Sequence, residues 1–197
     1  MGDHWACRIP MKFTKHCLGL IWLLTPISLL LAQKAPAVPK DLALQIVKDD
    51  PEVKESLKIQ PDGSTTALTV KTMHLAVDGK ATFYVRATPD SGRCGDHDRC
   101  LVFIYSKTAN QYQLLLEEHA GALTGLKTIT KGYHDLLLRD DVTGFETLYR
   151  TFKFDGKRYK AVKCFTSGEL DLRPVDTPQD CESVNEIYPV KDNPVER

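Results

Sequence analysis

Residues 94–164 read CGDHDRCLVFIYSKTANQYQLLLEEHAGALTGLKTITKGYHDLLLRDDVTGFETLYRTFKFDGKRYKAVKC, and this stretch decides the fold. Short runs rich in β-branched and aromatic residues alternate with turn formers throughout it, the pattern of antiparallel hairpins. LVFIY and YQLLLE form one hairpin over SKTANQ. Leu101, Phe103 and Tyr105 share one face of the first strand, yet Val102 and Ile104 are apolar too, which marks a central strand covered on both sides. Glycines at 121, 125 and 132 cut the next segment into short strands near LKTI and YHDLLL. LYRTFKF and KRYKAVKC then flank Asp155-Gly156, a pair suited to a type I′ turn, and a two-residue loop there places Phe152 opposite Tyr159.

Working upstream, Leu68, Val70, Thr72 and His74 alternate with Thr69, Lys71 and Met73, and ATFYVRA continues the period of two beyond Asp78-Gly79, giving a further hairpin. Before it, residues 41–58 carry a helical lead-in. Asp41 is the expected N-cap, Leu42 and Ile46 lie on one face, and Asp50-Pro51 restarts the helix. Residues 33–40, with Pro36 and Pro39, are a tether. Residues 41–164 therefore read as a single domain of α+β class, mainly antiparallel β: a hairpin-built sheet with a short N-terminal helical segment packed on it. Residues 165–197 read as an irregular tail tied back by Cys181. The expected buried set includes Leu42, Ile46, Phe103, Leu114, Leu116, Phe152 and Tyr159.

Residues 1–32 stand apart. Lys12, Lys15 and His16 precede residues 17–31, a run of 15 residues in which Thr25 and Ser28 are the polar ones. This is the charged and apolar order of a signal peptide, and the run is short of the ~20 residues that span a bilayer. Cleavage after Ala32 follows the apolar run directly; cleavage after Ala37 uses Ala35-Pro36-Ala37. Met11 is as good a start as Met1. Removal of residues 1–32 takes away Arg8, Lys12, Lys15 and Asp3, leaving 23 basic and 25 acidic residues and a net charge near −2. That balance points away from nucleic acid, and no stable membrane anchor remains after cleavage. A periplasmic or extracellular location follows.

Cys7 and Cys17 leave with the leader, so Cys94, Cys100, Cys164 and Cys181 remain, an even set that reads as two disulfides in an exported chain. Of three formal pairings, Cys94 with Cys100 and Cys164 with Cys181 is favoured, because each joins near neighbours. A zinc site is the competing reading, and the spacings do not match short C-x2-4-C clasps. No cofactor is called for.

The order of CGDHDRC, YQLLLE, KGYHDLLL and FKFDGKRYKAVKC over residues 66–164 resembles a group of small exported bacterial proteins of uncharacterised function. Their pattern is a cysteine-pair loop, a Gly-Tyr-x-Asp-Leu strand and a closing FDGxxYxxxC hairpin. In many of them the first turn reads as an aspartate-rich calcium loop. Here residues 74–79 keep only Asp78 and Gly79, too few oxygen ligands for calcium. The resemblance implies an exported β-rich domain and no reaction. A looser likeness, in size, compartment and disulfides, is to periplasmic lysozyme inhibitors.

The candidate chemistry is sparse. Asp96, His97 and Asp98 offer general-base and metal-ligand groups, but neighbours in an extended stretch point in opposite directions and do not converge on one ion. A solvated loop that contacts a partner is the expectation. Glu117, Glu118 and His119 read as a surface strand end, and His134 and Asp135 as structural. Ser91-Gly92 and Ser167-Gly168 lack the G-x-S-x-G frame of a nucleophile elbow. Arg150, Lys153, Lys157, Arg158, Lys160 and Lys163 give the last hairpin a basic tint, with Lys157, Arg158 and Lys160 the second candidate surface, toward another exported protein or an anionic glycan. The leading reading is a non-enzymatic binding or inhibitor-like module. An envelope-polymer hydrolase and a structural envelope protein are the alternatives.

Overall fold

Every strand neighbour in space is a strand neighbour in sequence. The computed structural model describes residues 36–109, 111–141, 146–170 and 173–181, all within one unit. Helices α1 (Lys40–Asp49) and α2 (Val53–Ser56) precede nine strands. β1 (Leu68–Met73), β2 (Thr82–Ala87), β3 (Cys100–Thr108) and β4 (Gln111–Ala120) form a four-stranded antiparallel sheet in that order. β5 (Ala122–Thr130), β6 (Tyr133–Asp141), β7 (Glu146–Phe154), β8 (Tyr159–Leu170) and β9 (Arg173–Gln179) form a five-stranded one. The chain is mainly β with a short helical lead-in, as its period-two patterning requires.

Two apolar cores flank the first sheet. On one side Leu42, Ile46, Val53 and Leu57 of the helical segment pack with Leu68, Val85, Leu101, Phe103 and Tyr105. On the other, Tyr84, Val102, Ile104, Leu115 and Leu116 meet Leu136, Leu138, Phe152, Phe154 and Tyr159 of the second sheet. Leu101, Phe103 and Tyr105 of β3 thus serve one core and Val102 and Ile104 the other, which is why its sequence is apolar on both faces. All seven residues of the expected buried set are buried. Both disulfides join the favoured partners, Cys94 with Cys100 and Cys164 with Cys181.

Several local expectations give way. Asp41 does not cap α1; Pro39 occupies that position, and the Asp41 carboxylate accepts from Leu42 N–H (3.0 Å) and the Tyr112 hydroxyl (3.1 Å). Nor does Asp50-Pro51 open the second helix directly: α2 begins at Val53 with Glu52 as its N-cap residue, and Asp50 accepts from Glu52 N–H at 3.1 Å in the turn before it. The last hairpin closes with a loop over residues 155–158, because Asp155 Oδ1 accepts from the backbone of Lys157 (2.7 Å) and Arg158 (2.8 Å). Gly156, at φ 107°, supplies the conformation this loop needs. Phe154 therefore pairs with Tyr159, and Phe152 with Ala161. The shift from the two-residue loop is an even number of residues, so the faces survive it.

LKTI is not a separate short strand; it lies within β5, where the pairing with β6 is irregular between Gly125 and Ile129. Nor is the segment after Cys164 irregular: β8 runs on to Leu170 and β9 returns along it, bringing Gln179 opposite Cys164. Pro174 and Pro178 are tolerated because β9 is an edge strand. The expected tail beyond residue 181, the linker before residue 36 and the leader lie outside the described residues.

Candidate functional site

Two constellations of opposite charges lie where β4 faces the second sheet, and they differ in exposure. The first is sealed. Alternation along β7 puts Arg150 beside Phe152 on the inward face, so this residue leaves the expected basic ribbon and is 3% exposed. Its guanidinium donates to Glu118 Oε2 (3.0 Å), Asp140 Oδ2 (3.1 Å) and the His119 carbonyl (3.0 Å), and stands 5.7 Å over the Phe152 ring. Asp140 also accepts from Gly121 N–H at 2.7 Å, and Arg99 Nε lies 3.6 Å from its Oδ1. Gly121 is the corner between the sheets; a β-carbon there would stand 3.0 Å from the Arg139 carbonyl oxygen. Glu118 and His119 are accordingly not the surface pair that the sequence suggested. Desolvation raises the Glu118 carboxyl above its ordinary range, with Arg150 opposing. Arg150 meets two carboxylates and a carbonyl here, which makes this seam structural.

The second constellation is open. A cleft of about 350 Å³ runs along residues 111–114 of β4, with Asp49 at the end of α1 as one wall and Lys157 and Arg158 in the β7–β8 loop as the other. Its volume is at the low end of ligand clefts, roughly 300–1,000 Å³. The walls are held in place. The Tyr105 hydroxyl donates to Asp49 Oδ2 at 2.9 Å, the phenol being driven far above its ordinary value by burial and then by Asp49. Asp155 fixes the basic loop, and Gln113 Nε2 donates across the cleft to the Lys157 carbonyl at 3.2 Å. Tyr112 packs edge-on against Phe83 and Tyr105 with centroids 5.8 and 6.4 Å away. Beside the cleft, partial desolvation and then the neighbouring Asp50 raise the Glu117 carboxyl, with Arg158 opposing.

Lys157 and Arg158, named from sequence, thus reach a concave site. Lys160 does not; it stands on β8 opposite Lys153, exposed. Asp96, His97 and Asp98 form a 3-10 turn rather than an extended stretch, with His97 and Asp98 both at φ 58°. Arg86 pins this turn by donating to the Asp98 carbonyl at 2.5 Å, while all three side chains are exposed. The turn does not assemble them into a site: among the described residues no group of three or more His, Cys, Asp and Glu is placed to hold a metal ion. His134 Nδ1 meets the Leu126 carbonyl at 2.7 Å, and Asp135 is buried with one carboxylate oxygen unpaired among the described residues.

Asp49, Tyr112 and Gln113 went unnoticed in the sequence. The one signal available was the charge contrast between the end of α1 and the FDGKR loop, and nothing local in either says that they face each other. Comparison with family models, curated proteins and solved structures finds no match. Fold and site together define a mainly antiparallel β protein with a polar cleft at a sheet edge. Its two disulfides belong to a non-reducing compartment. Among the described residues no helix is long and apolar enough to cross a membrane.

Proposed function

We propose that the chain is an exported, periplasmic or secreted, non-enzymatic binding module of inhibitor-like character, released by removal of the leader in residues 1–32. The observation that carries this reading is the cleft itself: charges of opposite sign held on opposite walls, by Tyr105 on one side and Asp155 on the other. Pre-positioned charges lower the ordering cost of association and select for a complementary partner. Another exported protein or an anionic glycan fits the basic wall.

One observation favours the hydrolase reading. Glu117 is a raised carboxyl next to a second carboxylate, Asp50, the arrangement from which general acids are made. It does not line the cleft, where a scissile bond would sit. The test combines turnover and binding on residues 33–197. We expect no cleavage of peptidoglycan, peptide or ester substrates, together with saturable binding to an anionic protein or to oligogalacturonate that Lys157→Glu/Arg158→Glu abolishes. Turnover that His97→Ala or Glu117→Gln removes would replace the binding module with an enzyme.

A further inference from the structure

The floor of the cleft is not a random patch of surface. It is four consecutive residues, 111–114, of β4, and β4 is the terminal strand of its sheet. These residues pair with Tyr105–Thr108 of β3 on one side. On their other side no ladder exists among the described residues. In an antiparallel sheet every second backbone N–H and C=O of such a strand points away from its partner. A register shift opposite Ile104 and Tyr105 separates this half of β4 from the half that enters the sealed seam. Such bulges re-aim a strand at a rim.

Exposed edges of this kind are ordinarily blunted by charge or covered. Here the β7–β8 loop stands off across the cleft instead and touches β4 through the Gln113 side chain. Among the described residues neither Lys157 nor Arg158 closes an ion pair, though both border the edge. Extended polypeptide suits an edge that offers backbone groups in register, and two exposed cations beside it, outside any ion pair among the described residues, select for acidic side chains.

Building on the binding-module reading, we infer that the cleft is a strand-acceptor site: an extended, acidic segment of a partner protein adds to β4 along residues 111–114, its carboxylates facing Lys157 and Arg158. The bound segment takes over the place of the Gln113 side chain and covers the edge. At about 3.3 Å per residue, four residues offer a ladder of about 13 Å, enough for a short motif rather than a whole strand of a domain.

The probe is a fluorescein-labelled, end-blocked peptide, Thr-Asp-Val-Glu-Val-Asp-Thr, followed by anisotropy and by amide shifts in ¹⁵N-labelled protein. Saturable binding is expected, with the largest shifts at residues 111–114. Lys157→Glu/Arg158→Glu, checked for native circular dichroism, should weaken it at least about 10-fold, since like charges then face each other. The same peptide with alternate backbone nitrogens methylated should weaken by about as much, because it loses its ladder donors. Equal affinity for the methylated peptide, tighter binding of oligogalacturonate at the same amides, or no saturation at millimolar peptide would overturn the strand-acceptor site. Those results leave the binding-module reading to its own test, which combines substrate turnover with binding to an anionic protein or oligogalacturonate.

Discussion

The sealed seam around Arg150 and the open cleft beside Arg158 are built from the same materials. Each sets guanidinium groups from the β7–β8 region against carboxylates presented by or beside β4. In the seam, Asp140 is fully buried and Arg150 meets three oxygens, so removing either partner strands an uncompensated charge in a low-dielectric interior. In the cleft, Lys157 and Arg158 are exposed to water, and their contribution to folding is that of surface charges. The difference teaches that charge composition along this hairpin says little about role. Position in the alternation decides it.

The comparison can be broken first at the seam's apolar base. Phe152 lies under Arg150 and is 2% exposed, so Phe152→Ala should cost about 3–5 kcal/mol in urea unfolding. A cost below about 1 kcal/mol would show that the seam does not rest on this ring. Next is the disulfide behind it. Arg150 pairs in register with Cys164, whose bond to Cys181 closes a 17-residue separation. Replacing both cysteines by serine should cost about 2–4 kcal/mol. Peptide mapping of the wild type should find this bond and the Cys94–Cys100 bond, with no free thiol; Cys94 joined to Cys164 would contradict both the pairing and the register.

A smaller effect sharpens the cleft side. Because desolvation and Asp50 raise the Glu117 carboxyl, the folded state holds that proton more tightly than the unfolded chain does. Its contribution to stability is therefore unfavourable at neutral pH and is relieved as pH falls through the raised value toward the ordinary one of about 4.3. Glu118 acts in the same direction. Asp155 and Asp78, lowered by hydrogen bonds from the Arg158 backbone and the Lys80 side chain respectively, act the other way, at lower pH. Glu117→Gln should raise stability at pH 7 by about 0.2–1 kcal/mol and lose that advantage near pH 4, as read by thermal unfolding across the range. An advantage that grows on acidification would reverse the sign of the account.

How much of this was legible beforehand follows the same division. Periodicity carried the hairpins, the two-faced β3 and the buried set, because a period of two is a property of single strands. Nearness in sequence carried the two disulfides. Periodicity failed where one side chain outbids a rule: Asp155 binds two backbone N–H groups and stretches the expected two-residue turn, and a charged residue at an inward position, Arg150, looks like any exposed arginine. Pro174 and Pro178 masked β9, since nothing local announces that a strand will lie at an edge. The cleft joins α1, β4 and the β7–β8 loop, segments remote in sequence, and only the packing of the helical segment on the sheet brings Asp49 over Tyr105.

The division between sealed and open charges is tested most directly by unfolding Arg150→Ala and the double variant Lys157→Glu/Arg158→Glu side by side in urea at pH 7. Arg150→Ala should lose about 3–5 kcal/mol, the cost of stranding buried carboxylates. The double variant should stay within about 0.5 kcal/mol per site of wild type. A double variant destabilised as much as Arg150→Ala would make the cleft part of the framework, and an Arg150→Ala protein as stable as wild type would dissolve the distinction altogether.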